Sequence, residues 1–257
     1  MNLGDQLDEL RDNILRDTSD LIGGPQDDLW SDATLLRYIE DAERRFARQT
    51  LIIRDATTPA CTQVVLQTGV SMYPLHPSVL AVISANYTPA GGQQYDLYRS
   101  GHALVAQTVP LEALQFDPTN PYSSALPPGA PLAYFTDETL VYAQQSRVTL
   151  TVYPAPSDTQ NGTIVPMRVI RLPMCGYGQK DLGRESEIPK DYQLDVLEWA
   201  AYRAQRNWDG DGGAPTSAAQ HKQAFDDAVT QAEKETKRKM FANTAIRYGA
   251  NGFSWTR

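Results

Sequence analysis

Apolar residues three and four apart mark the strongest element of the chain. In IPKDYQLDVLEWAAYRAQRNW, spanning Ile188 to Trp208, the positions Leu194, Leu197, Ala201, Ala204 and Trp208 recur at that spacing. They form one helical stripe, with Lys190, Asp195, Glu198 and Arg203 largely outside it. Pro189 suits the first turn of a helix, where its fixed φ fits and its missing N–H has no partner to lose, so the helix is predicted to start there. Ala200, Ala201 and Ala204 let another helix approach closely, and Tyr202 and Trp208 add contact area at the edges. Such an element requires helical neighbours, and the pattern supplies them on both sides. Leu3, Leu7, Leu10, Ile14 and Leu21 predict a first helix, closed by Gly23, Gly24 and Pro25. Leu35, Ile39, Ala42 and Phe46 predict a second, with Ser31 or Asp32 as its cap. Phe225, Ala228, Val229, Ala232 and Thr236 line a fourth, opened by a capping box of Ser217 and Gln220 and ending near Phe241 in the cationic EKETKRKM.

Between these helices the pattern changes. Fourteen of the 17 prolines lie from Pro59 to Pro173, a density that excludes long helices. Alternation predicts strands: Val79, Ala81, Ile83, Ala85 and Tyr87 share one face, Val148, Leu150 and Val152 another, and TIVPMRVIRL reads as a late strand. AYFTDETLVYA reads as a hairpin about Asp137 and Glu138. FDPTNPYSSALPPGAP has too few apolar residues for a core element and should run over the surface. The expected architecture is therefore α+β. A helical bundle of about four helices, from residues 1–57 and 185–242, is interrupted by an antiparallel β-rich insert over 58–184 and followed by an extended C-terminal tail, 243–257. The expected bundle core is Leu35, Ile39, Phe46, Leu194, Leu197, Ala201, Trp208, Phe225 and Val229.

Composition sharpens this in two ways. A chain of 257 residues buries enough surface to fold without disulfide or metal, and Cys61 and Cys175, far apart and without CxxC spacing, imply buried free thiols in a reducing cytoplasm. No signal peptide and no apolar run of bilayer length is present, so no membrane partner is expected. The net charge of −8 argues against a sequence-independent nucleic-acid clamp. Its distribution is uneven: residues 1–32 carry nine acids and two bases, residues 221–257 seven bases and four acids. Two readings remain, a solvated surface and complementary ends that meet within or between subunits. On the second helix Arg37, Arg44 and Arg48 share a face with Glu40, while Asp41 and Glu43 interleave, which favours a salt-bridged surface over a phosphate site.

Catalytic chemistry finds no support. Asp209, Asp211 and Gly212 resemble the start of a calcium loop, yet Gly213 and Gln220 stand where that loop needs acids, so a tight interhelical turn is the better reading. His76, His102 and His221 lie in different elements, and no GxSxG, HExxH or GxxxxGK accompanies them. Asn161, Gly162 and Thr163 match a glycosylation sequon but are read as a turn. No catalytic, cofactor-binding or metal-binding residue is assigned, and no enzyme activity is expected.

Four stretches in this order resemble the head-to-tail connector, or adaptor, proteins of tailed bacteriophages: LWSDATLLRYIEDAERRFARQT, SMYPLHPSVLAVISA, LTVYPAPSDTQNGTIVPMRVIRLP, and EIPKDYQLDVLEWAAYRAQRNWDGDGGAPTSAAQHKQAFDDAVTQA. The likeness covers nearly the whole chain and rests on packing and turn patterns, so it is their order that is specific. It implies a structural protein of the virion, placed at the head–tail junction and assembled in the host cytoplasm. It further implies a homo-oligomeric ring of about twelve copies beneath the portal protein, with a tail or nozzle protein below and DNA passing through the lumen without specific binding. Acidic walls would repel phosphate and let a duplex slide. Tyr248, Phe253 and Trp255, with Arg247, follow the last helix without local packing partners and are expected to dock on the portal or a neighbouring subunit. The rival reading is a tail or baseplate component whose β insert binds carbohydrate or protein.

Overall fold

The computed structural model describes residues 1–16, 29–99, 128–137, 148–174, 182–206 and 214–243. Two compact units emerge: residues 1–52 with 175–257, and residues 53–174. The chain thus enters the β unit five residues earlier than the proline pattern indicates and leaves it ten residues earlier.

In the helical unit, α1 (Leu3–Asp8) continues as a π-helix over Glu9–Leu15. A capping box opens it: the Asp5 N–H donates to Asn2 Oδ1 at 2.7 Å, and the Asn2 N–H donates to Asp5 Oδ2 at 3.0 Å. α2 (Asp32–Thr50) buries Leu35, Ile39, Ala42 and Phe46 as one stripe, together with Leu36, Glu43 and Ala47. The third helix opens with a 3-10 turn at Lys190–Tyr192, for which Pro189 is the cap residue, before its α-helical part at Gln193–Arg206. Its neighbour in sequence is a 30-residue helix, Ala214–Asn243. The third helix packs against both α2 and this last helix.

Four aromatic rings fill the centre. Phe46 lies 5.4 Å from Tyr192 and 6.1 Å from Phe225, and Trp199 lies 5.2 Å from Phe225, all tilted or edge-to-face as ring quadrupoles prefer. Leu197, Ala201, Phe225 and Val229 are buried with them. Leu194 is not: it is 52% exposed. Contact with helices on two sides shifts the buried arc toward Val196, Trp199 and Ala200, which leaves Leu194 at its far edge. Gln193 is buried instead, its Nε2 donating to the Ile188 carbonyl at 2.8 Å and its Oε1 accepting from the N-terminal ammonium at 2.8 Å. The capping box expected at Ser217 does not form, because the helix is already under way at Ala214; Ser217 Oγ donates across to Gln205 Oε1 at 2.8 Å. Trp208 lies outside the described residues, as do the DGDGG turn, His102 and Cys175.

The β unit holds β1 (Arg54–Asp55), a one-turn α3 (Pro59–Thr62), β2 (Gln63–Val65), β3 (Met72–Pro74), β4 (Val79–Tyr87), β5 (Tyr95–Asp96), β6 (Tyr98–Arg99), β7 (Ala133–Asp137), β8 (Thr149–Tyr153) and β9 (Ile164–Arg171). The two helices that follow are accordingly α4 (Gln193–Arg206) and α5 (Ala214–Asn243). One sheet runs β1-β9-β4-β5, with β2 also on β9; the other runs β3-β8-β7-β6. All described pairs are antiparallel except β6 with β7. One apolar cluster joins residues of both sheets, among them Val82, Tyr87, Leu150 and Val169.

One sequence reading changes here. In β4, register shifts between Val79 and Ala81 and between Val82 and Ser84 reset the alternation, so Val79, Val82, Ala85 and Tyr87 face inward while Ile83 is 37% exposed. The second half of the hairpin read about Asp137 and Glu138 lies outside the described residues; within them β7 pairs antiparallel with β8, Asp137 opposite Thr149. Asn161 to Thr163 do form a turn, with Gly162 at φ 79°.

Candidate docking surfaces

Four arginines lie on the outer side of α2. Arg37, Arg44, Arg45 and Arg48 are exposed. Of the three acids that interleave with them in sequence, Glu43 points into the core, with no exposed surface. Glu40 pairs with Arg44 at 3.3 Å, and Asp41 is taken by α4: its Oδ2 accepts from Trp199 Nε1 at 2.8 Å and from Arg203 at 2.7 Å. The surface is therefore more basic than the linear sequence implies. Aromatic rings hold three of its guanidinium groups. Arg45 lies 4.0 Å above the Trp199 ring, Arg203 5.1 Å from that of Tyr38 and Arg206 6.0 Å from that of Tyr202. Sequence reasoning passed over Trp199 and Arg45. The usable signal was the spacing of Tyr38, Asp41 and Arg45 on α2, matched by Trp199, Tyr202 and Arg203 on α4.

Glu43 joins three segments beneath this surface. Its Oε1 accepts from Ser186 Oγ in a short hydrogen bond and from Gln6 Nε2 at 3.5 Å. Its Oε2 and Gln6 Oε1 are buried without a hydrogen-bond partner among the described residues. Burial pushes the carboxyl up to about 7; hydrogen bonds from Ser186 and Gln6 oppose the rise, and Glu187 and Glu40 add to it. At the far side of the core, burial pushes the Tyr192 hydroxyl up to about 12, helped by its hydrogen bond and charge contact with Glu235.

The β unit has its own buried charge. Arg171 Nε donates to Asp55 Oδ2 at 2.6 Å, and Asp55 Oδ1 accepts from the Thr57 N–H at 2.7 Å, the Thr57 hydroxyl at 3.1 Å and the Thr58 N–H at 3.1 Å. Burial alone would raise the Asp55 carboxyl, but the bonds from Thr58, Thr57 and Arg171 together hold it well below the usual carboxylate range. His76 Nδ1 lies 2.8 Å from Ser78 Oγ and accepts from the Ser78 N–H at 3.2 Å, both two residues away, and His221 bonds to Glu198. Among the described residues no group of acids, histidines and cysteines is placed to hold a metal, and no helix is long and apolar enough to cross a membrane. Tyr248, Phe253, Trp255 and Arg247 lie outside the described residues.

The family model for the SU10 adaptor protein matches residues 1–248, both units and the segment beyond the last helix. The chain belongs to that family. An SU10 adaptor is a head–tail adaptor, a structural component of a bacteriophage virion. Among solved structures, a chain described as "Neck of empty GTA particle computed with C6 symmetry" is 16% identical to this one, at a TM-score of 0.25, with 85% of this chain and 90% of that chain covered. That score is too low to carry an argument. No curated protein sequence matches.

Proposed function

We propose that this SU10 adaptor forms a homo-oligomeric ring of about twelve copies beneath the portal, continues the DNA channel and presents the platform on which a tail or nozzle protein assembles. The observation that carries this reading is the family match, which runs through residue 248 without omitting either unit. The overall negative charge supports a channel that repels phosphate and does not grip DNA. Residues after Asn243 are the proposed portal anchor, with Tyr248, Phe253 and Trp255 as apolar contacts and Arg247 as a charged one. The proposed site of action is the head–tail junction, after assembly in the host cytoplasm.

Electron microscopy of purified protein mixed with portal-bearing heads tests the reading. A closed ring seated on the portal is expected, and its absence at saturating protein refutes the proposal. Chains truncated after Asn243 should fold, with unchanged helical circular dichroism, yet fail to attach to those heads. Undiminished attachment would move the anchor to the bundle or the β unit.

A further inference from the structure

The ring proposed above needs two different, complementary surfaces on each copy, and the helical unit carries a candidate for both. We propose that the arginine–aromatic face of α2 and α4 is the receiving half of the contact between copies, and that its occupant is the acidic outer face of the first helix in the next copy. This rests on the ring reading and adds to it which surfaces meet.

At 100° per residue, Arg37, Arg44 and Arg48 lie within about 40° of one another on α2, and Arg45 follows on the side toward α4. Arg203 and Arg206 extend the same flank. Against these six cations stand Glu40 and Asp41, each already bonded to a member of the set. Arg37, Arg45 and Arg48 have no acidic partner among the described residues. A freely waving arginine loses rotamer entropy when it docks. Here Trp199, Tyr38 and Tyr202 already hold three guanidinium groups, so part of that entropy is lost before any carboxylate docks.

The first helix offers the matching charge. Leu3, Gln6, Leu7 and Leu10 face the bundle, while Asp5, Asp8 and Asp12 are exposed. Asp8 and Asp12, one turn apart, make no ion pair among the described residues; the nearby Arg11 is committed to Asp32 at 2.7 Å. Within one copy the two faces do not meet. The first helix reaches α2 through the pairs Gln6–Glu43 and Arg11–Asp32, and Glu43 and Asp32 lie roughly 100–160° around α2 from Arg37, Arg44 and Arg48. Two unlike surfaces on separate sides of one subunit make a heterologous contact, the kind that closes into a ring. A second copy is favoured over DNA as occupant because exposed carboxylates without an ion pair, Asp8 and Asp12, stand on this same chain, whose balance of −8 disfavours duplex binding.

The test is a charge swap between copies. R37E/R48E and D8K/D12K change exposed residues that touch nothing in the core, and circular dichroism melts should match the native chain. By sedimentation velocity at low salt, each variant alone should associate at least tenfold more weakly than the native chain, and an equimolar mixture should recover association. A native oligomer that persists unchanged in R37E/R48E, or a mixture that stays dissociated, overturns the inference while the ring reading stands. Loss of binding to a fluorescent DNA duplex by R37E/R48E, with self-association unchanged, also overturns it and makes the face a nucleic-acid surface. A native chain that is monomeric at every concentration and salt overturns both.

Discussion

Glu43 holds its proton to about pH 7, whereas in an unfolded chain it would release it near 4.5. Between those values the folded state binds more protons than the unfolded state, so stability falls as pH rises through the interval and levels off above it. Glu43→Gln keeps an oxygen for Ser186 and Gln6 but has no charge to desolvate. It should therefore stabilise the protein above pH 7 by on the order of 2–3 kcal/mol and flatten the dependence between pH 4.5 and 7, read from urea unfolding at a series of pH values. Asp55 has the opposite sign. Its carboxyl is depressed, so its contribution is present above the ordinary value of 3.8 and is lost as pH falls below it. Asp55→Ala takes the carboxylate away from Arg171, whose side chain is only 11% exposed, and should cost about 3–5 kcal/mol in the β unit, measurable by circular dichroism melting. Neither residue was legible in the sequence. Glu43 stands in a run of charges that reads as solvated surface, and the partner of Asp55 is 116 residues away.

Helices disclosed more than strands, because a helix keeps its period while a bulge resets that of a strand. The four residues read as the stripe on α2, Leu35, Ile39, Ala42 and Phe46, are all buried, and so are Leu197, Ala201, Phe225 and Val229, as their spacing indicates. Leu197→Asp should place an unpaired charge among them and cost several kcal/mol, so that the subunit fails to fold. Leu194→Asp, one turn earlier on the same helix, should shift the melting temperature little, since that side chain is half exposed. Similar loss in both variants would contradict the buried arc described for α4. Phe225→Ala empties the space between Phe46 and Trp199 and should cost about 3–5 kcal/mol by urea unfolding. In β4 the two register shifts defeated simple alternation, and no residue type in VLAVISANY marks where the extra residues fall.

At the level of the whole chain, texture alone separated helical from proline-rich stretches, whereas the adaptor family was legible only as a resemblance of four particular stretches in their order, and the family model over residues 1–248 agrees with it. The charge at its two ends bears on assembly: association should weaken as salt rises from low to molar concentration, and indifference to salt would exclude charge pairing as its driving force. The division into two units has a separate consequence. The chain enters the β unit at Ile53 and leaves it just beyond Arg171, and the Arg171 N–H donates to the Ile53 carbonyl at 3.1 Å, with β1 laid against β9 and the Asp55–Arg171 pair clamping the same point. Both strands of the neck are fastened together, as at the base of a hairpin. A segment whose own ends are tied together does not depend on the rest of the chain to close it, so residues 53–174 expressed alone should melt cooperatively by circular dichroism.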